Sequence, residues 1–201
     1  MAAKRKSTQS RKDSPDAIEL LTLELQEIHS AESQLSRALA RLTKSTDSEK
    51  LGQMFDERLT RGARLIEEID AVFEEMGESP GRRKNVAAEG LINDAREHAQ
   101  EIQTGPALDA VLIGAMQKTE HYCIAAWGTA RALAQAVGQK SAVRAMERAI
   151  KEGGAFDERL TSLAEKEVTP ALLASREEAE AESTGMSRSD RSGDSRSRAS
   201  T

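Results

Sequence analysis

Between residues 16 and 168, apolar residues recur at intervals of three and four with few lapses. That spacing puts them on one face of an α-helix, so the chain reads as a series of long amphipathic helices. Over residues 16–44, Ile18, Leu21, Leu25, Ile28, Leu35, Leu39 and Leu42 mark the inward stripe, with Pro15 at its entrance and Glu32 filling its one gap. In the following "STDSEK", Thr46 and Glu49 stand at capping-box spacing and predict the start of a second helix. Its stripe runs Leu51, Phe55, Leu59, Gly62, Ile66, Ile69, Phe73 and Met76, and Gly77 closes it. So short a connection makes the pair an antiparallel hairpin.

"GESPGRRK" interrupts the pattern. A shorter helix is expected over 85–103, with Val86, Ile92, Ala95, Ala99 and Ile102 on a narrow apolar side that also carries Glu89. After "TGP", a helix over 107–137 places Ile113, Met116, Glu120, Cys123, Trp127, Ala130, Ala134 and Val137 in register and ends at Gly138. The last, over 141–168, aligns Val143, Met146, Ile150, Gly153, Asp157, Leu160 and Ala164, and Pro170 predicts its end. "FDERLT" occurs at both 55 and 156, but Phe156 falls one step off the predicted stripe, so no internal repeat is read from it. Two long hairpins joined by a crossover that bears a short helix describe an all-α, ferritin-like four-helix bundle.

Composition adds the boundaries. Residues 1–15 are basic and polar and residues 170–201 are rich in Ser, Arg and Asp, both without apolar periodicity. Neither can bury enough apolar surface to offset its ordering entropy, so both are expected to be disordered around a domain at 16–169. The net charge of -5 is mild and makes no case for nucleic acid as a partner, apart from a weak contact through the basic N-terminal arm. A single cysteine excludes an internal disulfide and fits a reducing compartment. With no membrane-length apolar run and no signal-peptide core, a soluble, cytoplasmic protein without a membrane partner is expected.

The chemistry lies where the apolar rhythm is broken by acids: Glu32, Glu120 and Asp157 on three long helices, and Glu89 on the short one. A carboxylate buried unpaired costs on the order of several kcal/mol or takes up a proton. Converging acids therefore need a cation, shared protons or arginine partners. In di-metal bundles the cation is iron or manganese, held by a Glu from each of two helices and a Glu-x-x-His pair from each of the other two. A lone stripe acid near a bundle end can equally pair with Lys or Arg at the surface. The spacing here is defective for metal. His29 and Glu32 stand in reversed order, Glu120 is followed at i+3 by Cys123, and His121 lies about 100° around the helix from Glu120. The second helix contributes nothing, since its expected inward residues at mid-length are Leu59, Gly62, Ala63 and Ile66; His98 reads as a surface residue.

"ELQEIHSAESQLSRALARL", "AAEGLINDA" and "QKTEHYCIAAWGT" resemble the YciE/YciF family of ferritin-like proteins, over about residues 16–168. The resemblance implies a ferritin-like bundle, a homodimer, a link to bacterial stress responses and, in typical members, a di-metal site. It places ligands at Glu32, Glu89, Glu120, His121 and Asp157. Elsewhere the pattern departs: Thr60 and Ala63 replace a Glu-x-x-His pair, Cys123 replaces a Glu, and Gly153 replaces the last of three glutamates. The expectation is a remnant, incomplete di-metal carboxylate site with no resident cofactor, or iron or manganese if any. Its bearer is then mainly a binding or structural protein. The alternative is a di-iron or di-manganese redox protein that oxidises iron or removes peroxide, so enzymatic activity stays open.

Overall fold

The computed structural model describes residues 15–192. The basic arm and the last nine residues lie outside that range, as does any nucleic-acid contact through the arm. α1 (Ala17–Leu42) opens on Asp16, whose carboxylate accepts from the Ile18 and Glu19 amides while Glu19 bonds back to the Asp16 amide. A 3-10 turn at Thr43–Ser45 leads to α2 (Glu49–Met76). The capping box expected at Thr46 is absent: the N-cap is Ser48, and the Thr46 hydroxyl donates to the Thr43 carbonyl instead. Gly77 ends α2 in the left-handed region (φ 69). α3 (Val86–Glu101) follows the crossover, then α4 (Pro106–Val137), with Pro106 in the first turn where its missing N–H costs nothing. Gly138 (φ 75) turns the chain into α5 (Lys140–Leu163).

α1 pairs with α2 and α4 with α5; α1 also packs on α4 and α2 on α5, closing a four-helix bundle. α3 covers the seam between α1 and α4. At about 1.5 Å per residue the long helices reach roughly 36–48 Å. The core has two apolar clusters. One holds Leu39, Phe55, Leu112, Phe156 and Leu160, and the other Leu25, Ile69, Phe73, Trp127 and Met146.

Two helices, α2 and α5, are rotated from the predicted stripes. On α2 the buried positions are Phe55, Arg58, Gly62, Leu65 and Ile69, so Leu59 and Ile66 move to the flank and Ala63 is exposed. On α5 they are Ala142, Met146, Ala149, Gly153, Phe156, Leu160 and Leu163, so Phe156 belongs to the core and Asp157 to its edge. On α3 the stripe through Ile92, Ala95, Ala99 and Ile102 faces the core as expected, joined by Ala88, and only Val86, 73% exposed, falls outside it. Nor does Pro170 end the helical path. A π turn at Ala164–Val168 passes into α6 (Thr169–Ser192), with the Thr169 amide bonded five residues back to Ala164. The proline falls in the first turn of α6, where the widened turn relieves the clash of its ring with the preceding backbone.

Candidate functional site: a buried ion cluster at mid-bundle

Glu32 on α1 and Glu120 on α4 are 1% and 0% exposed, and both point between the two apolar clusters. Arg58 of α2 enters the same space and is 2% exposed. Its Nη1 and Nη2 donate to Glu32 Oε2 and Oε1 at 2.9 and 3.0 Å, a fork on both oxygens of one carboxylate. Its Nε donates to Glu120 Oε2 at 2.7 Å. The remaining oxygen, Glu120 Oε1, accepts from Arg61 Nη2 at 3.1 Å. All four carboxylate oxygens are thus met by guanidinium N–H groups, the strongest class of side-chain hydrogen bond. Two arginines against two glutamates leave the cluster with no net charge.

Burial by itself would lower the Arg58 pKa, but Glu32 and Glu120 more than offset it and hold the guanidinium well above its usual value. Arg61, nearer the surface, goes the other way: burial dominates and lowers it, with Glu120 compensating in part and Arg58 repelling. Aromatic faces complete the setting, with Arg58 Cζ 5.8 Å from the Trp127 ring centre and Arg61 Cζ 4.6 Å from that of Phe156. Cys123 Sγ lies 3.9 Å from Arg58 Nη2, and burial, then Glu32, push its thiol well above the ordinary range.

Backbone packing makes the room. A Cβ on Gly62 would stand 2.9 Å from Glu32 Oε2 and 3.0 Å from Arg58 Nη1. A Cβ on Gly153 would stand 2.7 Å from Trp127 Cζ3 and 2.9 Å from Glu120 Oε1. These are mid-helix glycines whose missing side chains are the space the cluster occupies.

The other residues expected in a shared interior lie elsewhere. Glu89 is on the outer side of α3, paired with Lys84. Asp157 sits at the bundle edge, accepting from Gln117 Nε2 at 3.2 Å and facing His121 Nε2 at 3.2 Å. His121 itself is 67% exposed. The rotation of α5 that buries Phe156 is what carries Asp157 outward. Thr60 and Ala63 are exposed on α2 and take no part in the cluster. Sequence reasoning missed Arg58 and Arg61. Positions 51, 55, 58, 62, 65 and 69 keep the three-four interval as faithfully as the stripe through Leu59, and the choice went to the apolar alternative.

The whole helical assembly has known counterparts. A family model described as a domain of unknown function, DUF892, matches residues 16–173. The chain belongs to the DUF892 family. Among curated proteins, this DUF892 chain is 43% identical to protein YciF of Escherichia coli (strain K12) over 141 residues, 70% of this chain and 85% of that protein. The crystal structure of the E. coli stress protein YciF superposes with a TM-score of 0.74 at 39% identity, covering 78% of this chain and 99% of that one. YcfI from Rhodopseudomonas palustris, described as a putative structural protein, superposes at 0.70 and 32% identity, covering 75% and 96%. The likeness to YciF and the four-helix architecture accord with the family and fold read from the sequence. Among the described residues, no helix of this DUF892 protein is long and apolar enough to cross a membrane.

Proposed function

We propose that this DUF892 protein is a stress-response protein of structural or binding type whose interior carboxylates are neutralised by arginine in place of metal. The observation that carries the reading is Arg58, a fully buried cation bonded to both Glu32 and Glu120. A two-metal centre needs carboxylate and imidazole lone pairs free to coordinate. Here every oxygen of the two buried glutamates is already an acceptor, and the site has no histidine. Among the described residues no group of three or more His, Cys, Asp or Glu is placed to hold a metal ion. The donor set therefore fits a salt-bridge cluster and does not fit a pair of iron or manganese ions. The descriptions of the two relatives, one a stress protein and one a putative structural protein, favour the same assignment.

The test is metal analysis after anaerobic loading with Fe(II) or Mn(II) followed by desalting. The expected content is below about 0.2 ion per chain. Two retained ions per chain would refute the reading and restore the redox alternative. We further propose a homodimer, the state that the resemblance to the YciE/YciF family implies. Sedimentation velocity is expected to give twice the chain mass, and a monomer at micromolar concentration would refute it.

A further inference from the structure

A second feature shares no residue with the ion cluster. α1, the α2–α3 connection and α3 enclose an open groove of about 580 Å³. Its walls carry Arg37, Arg82, Arg83, Lys84 and Arg96 against one carboxylate, Glu89, on a chain whose net charge is -5. Arg83 is paired with Glu27 and Lys84 with Glu89. Arg37 and Arg82 have no acidic partner among the described residues, and Arg96 bonds only the Asn93 amide oxygen, at 3.5 Å. Arg96 Nε is moreover buried with no hydrogen-bond partner, a donor left over in the groove wall. Like charges gathered from three separate segments repel, so an arrangement of this kind is stable when an anion sits among them.

The groove is held open by polar contacts beneath it. Asn85, 2% exposed, donates through Nδ2 to the Glu27 carbonyl and through its amide to Ser30 Oγ at 3.0 Å. Gln34 Nε2 donates to the Asn85 carbonyl at 3.0 Å, and Gln26 Nε2 to the Ser79 carbonyl at 3.1 Å. These bonds fix α1, the connection and the start of α3 to one another, so the cationic side chains project from a braced scaffold.

We infer that this groove binds a small soluble oligophosphate, its phosphates held by Arg37, Arg82 and Arg96. Guanidinium groups meet phosphate oxygens in pairs with matched geometry. The volume falls in the range of small-ligand sites, roughly 300–1,000 Å³. Among the described residues no Phe, Tyr or Trp lines the groove, and its one imidazole, His29, is paired with Asp70, which favours a phosphate chain over single-stranded nucleic acid.

Titration calorimetry of the full chain with sodium tripolyphosphate, at fixed ionic strength against sodium sulfate, tests it. The expected result is saturable one-to-one binding of tripolyphosphate that Arg37→Ala or Arg96→Ala each weakens by roughly tenfold. Glu89→Gln is expected to tighten it, and Arg131→Ala, which removes an exposed charge outside the groove, to change it less than about twofold. Circular dichroism of each variant checks that the helices persist. No saturable binding, or equal weakening by Arg131→Ala, would overturn the inference. So would an oligonucleotide that binds more tightly than tripolyphosphate and displaces it.

Discussion

Arg58 is the residue on which the interior depends. Removing its side chain leaves Glu32, 1% exposed, with no cationic partner among the described residues and Glu120, 0% exposed, with Arg61 alone. Loss of one partner from a buried ion pair typically costs about 3–5 kcal/mol. Arg58→Ala is therefore expected to lower unfolding free energy by about that amount in urea titrations, and a loss below about 1 kcal/mol would contradict the geometry. Cys123 offers an independent measure of the same space. Its folded pKa is raised, so the folded chain keeps the thiol proton at pH values where the unfolded chain has lost it. Stability due to this group is complete below the ordinary thiol value of about 8.5 and falls as pH rises above it. Between pH 8 and 10 the parent should lose stability faster than Cys123→Ala. The native thiol should also resist a soluble alkylating reagent until denaturant is added.

At the scale of the helix, glycine has opposite meanings at different positions. In an open helix interior, Gly→Ala stabilises by about 0.5–1 kcal/mol because alanine has less backbone entropy to lose. A Cβ on Gly154 would meet nothing within 4 Å, and Gly154→Ala is expected to gain that increment in thermal melts. Gly62→Ala and Gly153→Ala put a methyl against Glu32 with Arg58 and against Trp127 with Glu120, and are expected to lose stability instead. Helix starts show similar long-range control. The Asp109 carboxylate, at the opening of α4, accepts from the Asp47 and Ser48 amides at 3.0 and 2.7 Å and so fixes the N-terminus of α2. Burial raises its pKa and those two amides pull it back. Asp109→Ala is expected to cost about 1–2 kcal/mol in denaturant titrations, on the scale of a lost helix cap.

Across the whole molecule, the ion cluster forms a polar layer between two apolar halves of one bundle. Such a layer contributes little net stability, since desolvation roughly cancels the attraction, but an unpaired alternative register is penalised. The quadruple variant Glu32→Leu, Arg58→Met, Arg61→Met and Glu120→Leu, which removes both charges of each sign, is accordingly expected to fold within about 2 kcal/mol of the parent, far closer than Arg58→Ala alone. A quadruple variant as unstable as Arg58→Ala would mean that the cluster stabilises the bundle outright.

The three-four rhythm, the glycine stops at 77 and 138 and the long crossover were enough to determine helices, hairpins and bundle, because burying an amphipathic face requires only that periodicity. Glu32 and Glu120 were legible for the same reason: each interrupts a rhythm that has no alternative. Rotation about each helix axis was not legible. A residue and its neighbour both satisfy a period near 3.6, and only packing against the other helices selects between Arg58 and Leu59, or between Phe156 and Asp157. That choice decided which charges meet. It brought an arginine from the second helix to two glutamates and carried Asp157 to the bundle edge.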